Sequence, residues 1–60
     1  MISEVVYEVY CDGDFQEGFA TKKEAEDYVR RDIKGMAETY GKTQKWIKEH
    51  FKWTIERVEY

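Results

Sequence analysis

The sequence predicts an α+β domain: a three-stranded antiparallel sheet in the order 2-1-3, covered by one long helix, with a short second helix before the last strand and the topology ββααβ. Three observations predict it. Two β-rich runs flank Asp12-Gly13, an apolar stripe of helical period begins behind Thr21, and a period of two returns at Trp53.

The run from Ser3 to Cys11, Ser-Glu-Val-Val-Tyr-Glu-Val-Tyr-Cys, is rich in β-branched and aromatic residues and reads as the first strand. Asp12-Gly13 tolerates the positive φ of a tight turn, and a second strand follows from Phe15 to Ala20. Turn length decides the register. A two-residue Asp12-Gly13 loop pairs Tyr10 with Phe15 and Val6 with Phe19. The preferred alternative is a loop of Cys11-Asp12-Gly13 with Gly13 in a left-handed bulge position. It pairs Val9 with Phe15 and Val5 with Phe19, and it gathers Val5, Tyr7, Val9, Phe15 and Phe19 on one face.

Thr21-Lys22-Lys23-Glu24 has the spacing of a capping box and opens the long helix. Ala25, Val29, Ile33, Met36, Ala37 and Tyr40 then recur every three or four residues, with Tyr28 at the margin of the stripe and Gly41 where a left-handed C-cap belongs. Gly35 inside this helix is either a close-packing point or a weakness. Thr43 caps a short helix from Gln44 to about His50, in which Trp46, Ile47 and His50 share a side. From Lys52 to Glu59, Trp53 and Ile55 alternate with Thr54 and Glu56, while Val58 and Tyr60 fall on the other face. Either a bulge near Glu56-Arg57 shifts the phase, or the second face of the sheet is partly covered. If the long helix crosses back over the sheet, right-handedness places the third strand beside the first, with Val5-Val6-Tyr7 at the centre.

Sixty residues hold one core, so the domain spans residues 1–60. Its size calls for a staple, and 17% aromatic residues supply bulk in place of disulfides. The lone Cys11 allows no internal disulfide and fits a reducing compartment, so a cytoplasmic location is expected, the host cytoplasm if the chain is phage-encoded. No apolar run approaches the roughly 18 residues of a membrane span, and the N-terminus lacks the pattern of a signal peptide, so no membrane partner is expected.

Net charge is −3 and uneven: residues 1–20 carry Glu4, Glu8, Asp12, Asp14 and Glu17 with no Lys or Arg, whereas the last third is basic. Such a dipolar chain can steer a charged partner. Cys11 and His50 are the only Cys and His, one near the turn and the other ending the short helix, which excludes zinc spacing and argues against Cys-His catalysis. Asp12-Gly13-Asp14 starts like a calcium loop, but Lys23 stands where the bidentate Glu is required. Glu8 and Glu17 are candidates to approach each other across the hairpin, with no cleft expected around them. The four glycines are too dispersed for a phosphate loop. No catalytic residue, metal or cofactor is therefore expected.

Binding is the better reading. Val58 and Tyr60, out of phase with Trp53 and Ile55, are the expected partner-contacting residues together with Arg57, toward a protein partner or a second copy. The alternative is nucleic acid, held by Lys42, Lys45, Lys48 and Lys52 among Trp46, Phe51 and Trp53. The net acidity of the chain makes nucleic acid the lesser of the two.

The stretch Tyr7-Glu8-Val9-Tyr10-Cys11-Asp12-Gly13-Asp14-Phe15, followed by Phe19-Ala20-Thr21-Lys22-Lys23-Glu24-Ala25-Glu26, resembles small bacteriophage and prophage proteins. It is also similar to the arm-binding N-terminal domain of tyrosine recombinases, in which a Phe-x-Thr-Lys-x-Glu-Ala run leads from a strand into a helix over a three-stranded sheet. This chain departs from that domain in having two strands before the helix and acids in its hairpin. The phage resemblance implies an accessory protein that binds and modulates a host protein.

Overall fold

A computed structural model of the chain describes residues 4–60, so the expected first strand's Ser3 lies outside the described residues. The elements are β1 (Val5–Cys11), β2 (Asp14–Phe19), α1 (Lys22–Tyr40), α2 (Gln44–His50) and β3 (Trp53–Glu59). The sheet order is β2-β1-β3, with β1 antiparallel to both neighbours, as the crossover argument requires.

Both helices begin and end where their capping residues dictate. The Thr21 hydroxyl oxygen accepts from the Glu24 amide and its proton goes to the Glu24 carboxylate, so the box closes side chain to side chain. Gly41 ends α1 in the left-handed region at φ 64°, where a residue with a Cβ is strained. Thr43 accepts from the Trp46 amide to start α2. Gly35 is exposed and a Cβ there would meet open space, which settles its role as a weakness of about 1 kcal/mol relative to Ala.

The hairpin register differs from the preferred expectation. Asp12 takes φ 51° and Gly13 φ 85°, so the turn is the two-residue, twist-matched kind, with Cys11 opposite Asp14 and Tyr10 opposite Phe15. A bulge then leaves Gln16 unmatched, and pairing resumes as Val9 with Glu17, Glu8 with Gly18 and Tyr7 with Phe19. The physical reason is a long-range anchor. Asp12 donates its amide to the Lys52 carbonyl at 2.8 Å and accepts the Lys52 amide on Oδ1 at 3.0 Å, which holds it in a conformation that Asp tolerates better than most residues.

Two expectations fall with the register. Phe15 leaves the face shared by Val5, Tyr7, Val9 and Phe19 and joins the opposite one. Glu8 and Glu17 do not meet, because Glu17 lies opposite Val9 and Glu8 opposite Gly18, on different faces. In β3 there is no bulge, and the second face is not covered by a further layer among the described residues. Pairing with β1 is unbroken from Val5–Glu59 to Cys11–Trp53, so Val58 lies beside Val6.

At 1.5 Å per residue, 19-residue α1 is about 28 Å long, and it outruns strands of six or seven residues. Its first half lies on the sheet, with Ala25 buried and Tyr28 tilted against Phe19 at 5.4 Å. The overhanging second half buries Ile33 and Ala37 against Ile47 of α2, and Val29, Met36, Trp46, Phe51 and Trp53 pack around them. Tyr40, at the end of the stripe, stays 55% exposed and stacks on Phe51. Trp53 Nε1–H donates to Asp32 at 3.0 Å and ties the helix to the start of β3. The resulting body measures 48 × 18 × 14 Å, with a Cα radius of gyration of 13.0 Å. That radius is typical of about 100 residues rather than 60.

Candidate functional site

Helix α1 touches all three strands, and among the described residues no second layer lies on the other side of the sheet. Even-numbered residues of β1 and their partners make up that open side: Val6 beside Val58, Glu8 beside Glu56 and Gly18, and Tyr10 beside Thr54 and Phe15. Tyr60 joins them, since its amide donates to the Glu4 carbonyl at 2.8 Å in continuation of the ladder. Phe15 is 57% and Tyr60 67% exposed. The Tyr10 and Phe15 rings meet edge to face at 5.8 Å.

Glu8 organises the middle of this face. Its carboxylate accepts the Tyr10 hydroxyl at 2.7 Å and the Tyr60 hydroxyl at 2.9 Å. The hydrogen bond to Glu8, followed by desolvation, pushes the Tyr10 hydroxyl up to about 12. The same bond raises Tyr60. Both rings are thereby held against the sheet, with polar ends engaged and apolar bodies outward. Glu56 stands directly opposite Glu8, an apposition of like charges that the strand pair bears without an ion pair to either carboxylate among the described residues.

The expected contact residues do not form one surface. Val58 and Tyr60 are on the open face, but Arg57 is opposite Tyr7 on the helix side and lies 3.6 Å from the Glu59 carboxylate. Tyr10, Phe15 and Glu8 belong to the open face and were not among those candidates. The Asp12-Gly13 dipeptide was the signal that could have found them, because its two-residue turn puts Tyr10 and Phe15 side by side.

The basic candidates lie around α2 and the start of β3, and the Lys52 backbone meets Asp12 at the hairpin turn. Lys42, Lys45 and Lys48 are exposed around α2, and Lys52 is exposed just before β3. The Trp46 ring among them is already occupied: His50 stacks on it at 3.8 Å and the Lys42 ammonium lies over it at 5.3 Å. A base would have to displace one of these to stack there. His50 Nδ1 is engaged with the Trp46 carbonyl at 2.8 Å.

Cys11 is half-buried, and burial, then the nearby Asp12, Asp32 and Asp14 charges, push its thiol up, away from a reactive thiolate. Among the described residues no group of three or more His, Cys, Asp or Glu side chains is arranged to hold a metal ion. Asp27 is held low by Arg30 and then Lys23, its neighbours on the exposed side of α1. A groove of about 530 Å³ lies where β1 outruns β2, walled by Val5, Val6, Gly18 and Phe19. Its polar side chains are the Glu4 and Glu17 carboxylates, and no nucleophile lines it. No helix among the described residues is long and apolar enough to cross a membrane. No family model matches the chain, and neither a curated protein nor a solved structure does.

Proposed function

We propose that this protein is a non-enzymatic protein-interaction module that engages a partner through the open face of its sheet. One observation carries the reading. The face away from α1 presents Val6, Tyr10, Phe15, Val58 and Tyr60, whereas the buried hydrophobic residues among those described are Val9, Ala25, Ile33, Ala37 and Ile47. Exposed aromatic and aliphatic side chains gathered on one face of a small domain mark a docking site, and Tyr and Phe are enriched at the centres of such sites. The two hydroxyl bonds to Glu8 hold Tyr10 and Tyr60 in place before binding, which lowers the entropy lost on docking.

The biological setting that the resemblance to phage proteins suggests is an accessory role in the cytoplasm of a bacterial host, acting on a host protein. The test is capture from bacterial lysate by the tagged domain, run beside a Phe15→Ser/Tyr60→Ser variant. Both side chains are exposed, so the variant folds and circular dichroism checks it. A protein retained by the natural chain and lost by the variant is expected. Retention by both, or by neither, rejects the open face as the docking site.

A further inference from the structure

We infer that the outer edge of β3 is a pairing edge for a second copy of this chain, the two β3 strands running antiparallel about a two-fold axis at Ile55 to make one continuous six-stranded sheet. The inference rests on the reading of the protein as an interaction module and names a second surface and its occupant.

The two edges of the sheet differ. The β2 edge is interrupted by the bulge at Gln16, which spoils it as a template. The β3 edge is regular over seven residues and has neither bulge nor proline. Its hydrogen bonding is set by the pairs at its two ends. The Tyr60 amide bonds the Glu4 carbonyl and the Asp12 amide bonds the Lys52 carbonyl, so even-numbered residues face β1. The amides and carbonyls of Trp53, Ile55, Arg57 and Glu59 therefore point outward along the free edge.

A symmetric antiparallel partner must set odd residues against odd, and charge then selects among the axes this allows. An axis at Glu56 puts two carboxylates opposite each other, and an axis at Arg57 puts two guanidinium groups opposite each other. Axes at Thr54 or Val58 avoid this but pair only residues 52–56 or 56–60. The axis at Ile55 pairs residues 52–58 in full. Ile55, half-buried at the rim of the helix-covered side, then packs on the partner's Ile55. Trp53 meets the partner's Arg57, a cation over a ring. On the open side Lys52 stands diagonal to the partner's Glu56, a carboxylate that makes no ion pair among the described residues. The same register carries the basic end of α2 toward the partner's Glu59.

A single strand pair buries less than the roughly 1,000 Å² of a stable interface, so the association is weak, with half-dissociation at about 100 µM. Sedimentation from about 10 µM to about 1 mM spans that range. Lys52→Glu and Glu56→Lys are each expected to weaken dimerisation about 10-fold, because each sets like charges diagonal to one another twice across the axis. The double variant Lys52→Glu/Glu56→Lys restores attraction and should return to within about 3-fold of the natural chain. Glu56→Lys also relieves the apposition with Glu8, so its loss of dimer is not a loss of fold, and circular dichroism checks this. A monomer over the whole range overturns the inference but leaves the lysate capture by the open face as it was. A dimer indifferent to both single swaps, or lost in Phe15→Ser, puts the second copy elsewhere and also overturns it, as does failure of the double variant to restore.

Discussion

The two faces of the sheet are made by the same three strands, and their residues have had different fates. Under α1, Val9 is fully buried beside Ile55, and Tyr7, Phe19 and Trp53 share its face and are half-buried. On the open face Val6 and Val58 reach only partial burial, and Phe15 remains 57% exposed. Apolar content does not separate the faces. What separates them is whether a second layer is present among the described residues, and apolar groups on a face without one keep much of their contact with water.

Val9 and Val6 are the same residue type on one strand, which makes them a matched pair. Val9→Ala is expected to lose about 2 kcal/mol in urea unfolding, a large share of the stability available to so short a chain. Equal losses at Val9 and Val6 would show that the open face is already covered in solution and break the comparison. Trp53→Phe removes the bond to Asp32 together with part of the indole's packing on the core cluster, and about 1–2 kcal/mol should go with it. Val6→Ala should remove about 0.5–1 kcal/mol, in proportion to its partial burial. Phe15→Ser should lie within about 0.5 kcal/mol of the natural chain, because the ring is 57% exposed and its aromatic neighbour is Tyr10.

The smallest effect is a titration. With its folded value raised above 10 to about 12, the Tyr10 hydroxyl contributes stability that is present below pH 10 and lost as pH rises toward about 12. Glu8→Gln removes the charge that holds the proton. The phenolate absorbance of Tyr10, read as the difference between the chain and its Tyr10→Phe variant, should then appear at lower pH. An unchanged midpoint would mean that Glu8 does not organise the face.

Helices, strand order and topology were legible in the sequence because their causes are local or topological. Thr21 and Gly41 bracket one helix, Thr43 opens the other, and handedness leaves one place for the third strand. The hairpin register was not legible, because the conformation of Asp12 is held by the backbone of Lys52, forty positions along the chain. That one choice moved Phe15 to the other face and separated Glu17 from Glu8. The candidate surface was half legible for the same reason. Phase along β3 was enough to single out Val58 and Tyr60, whereas Tyr10 and Phe15 depended on the turn, and Arg57 was adjacent in sequence without sharing their face.

Placing β1 between β2 and β3 also governs when the fold can close. The hairpin and α1 are assembled from neighbours in sequence, but the second side of β1 is completed only by residues 42–54 positions later, such as Val6 with Val58. During synthesis the central strand therefore waits with a bare edge until Trp53–Glu59 have cleared the ribosome. In that interval the nascent chain is most exposed to strand capture by other polypeptides, and a chaperone that shields β1 would act on this chain before its last strand is made.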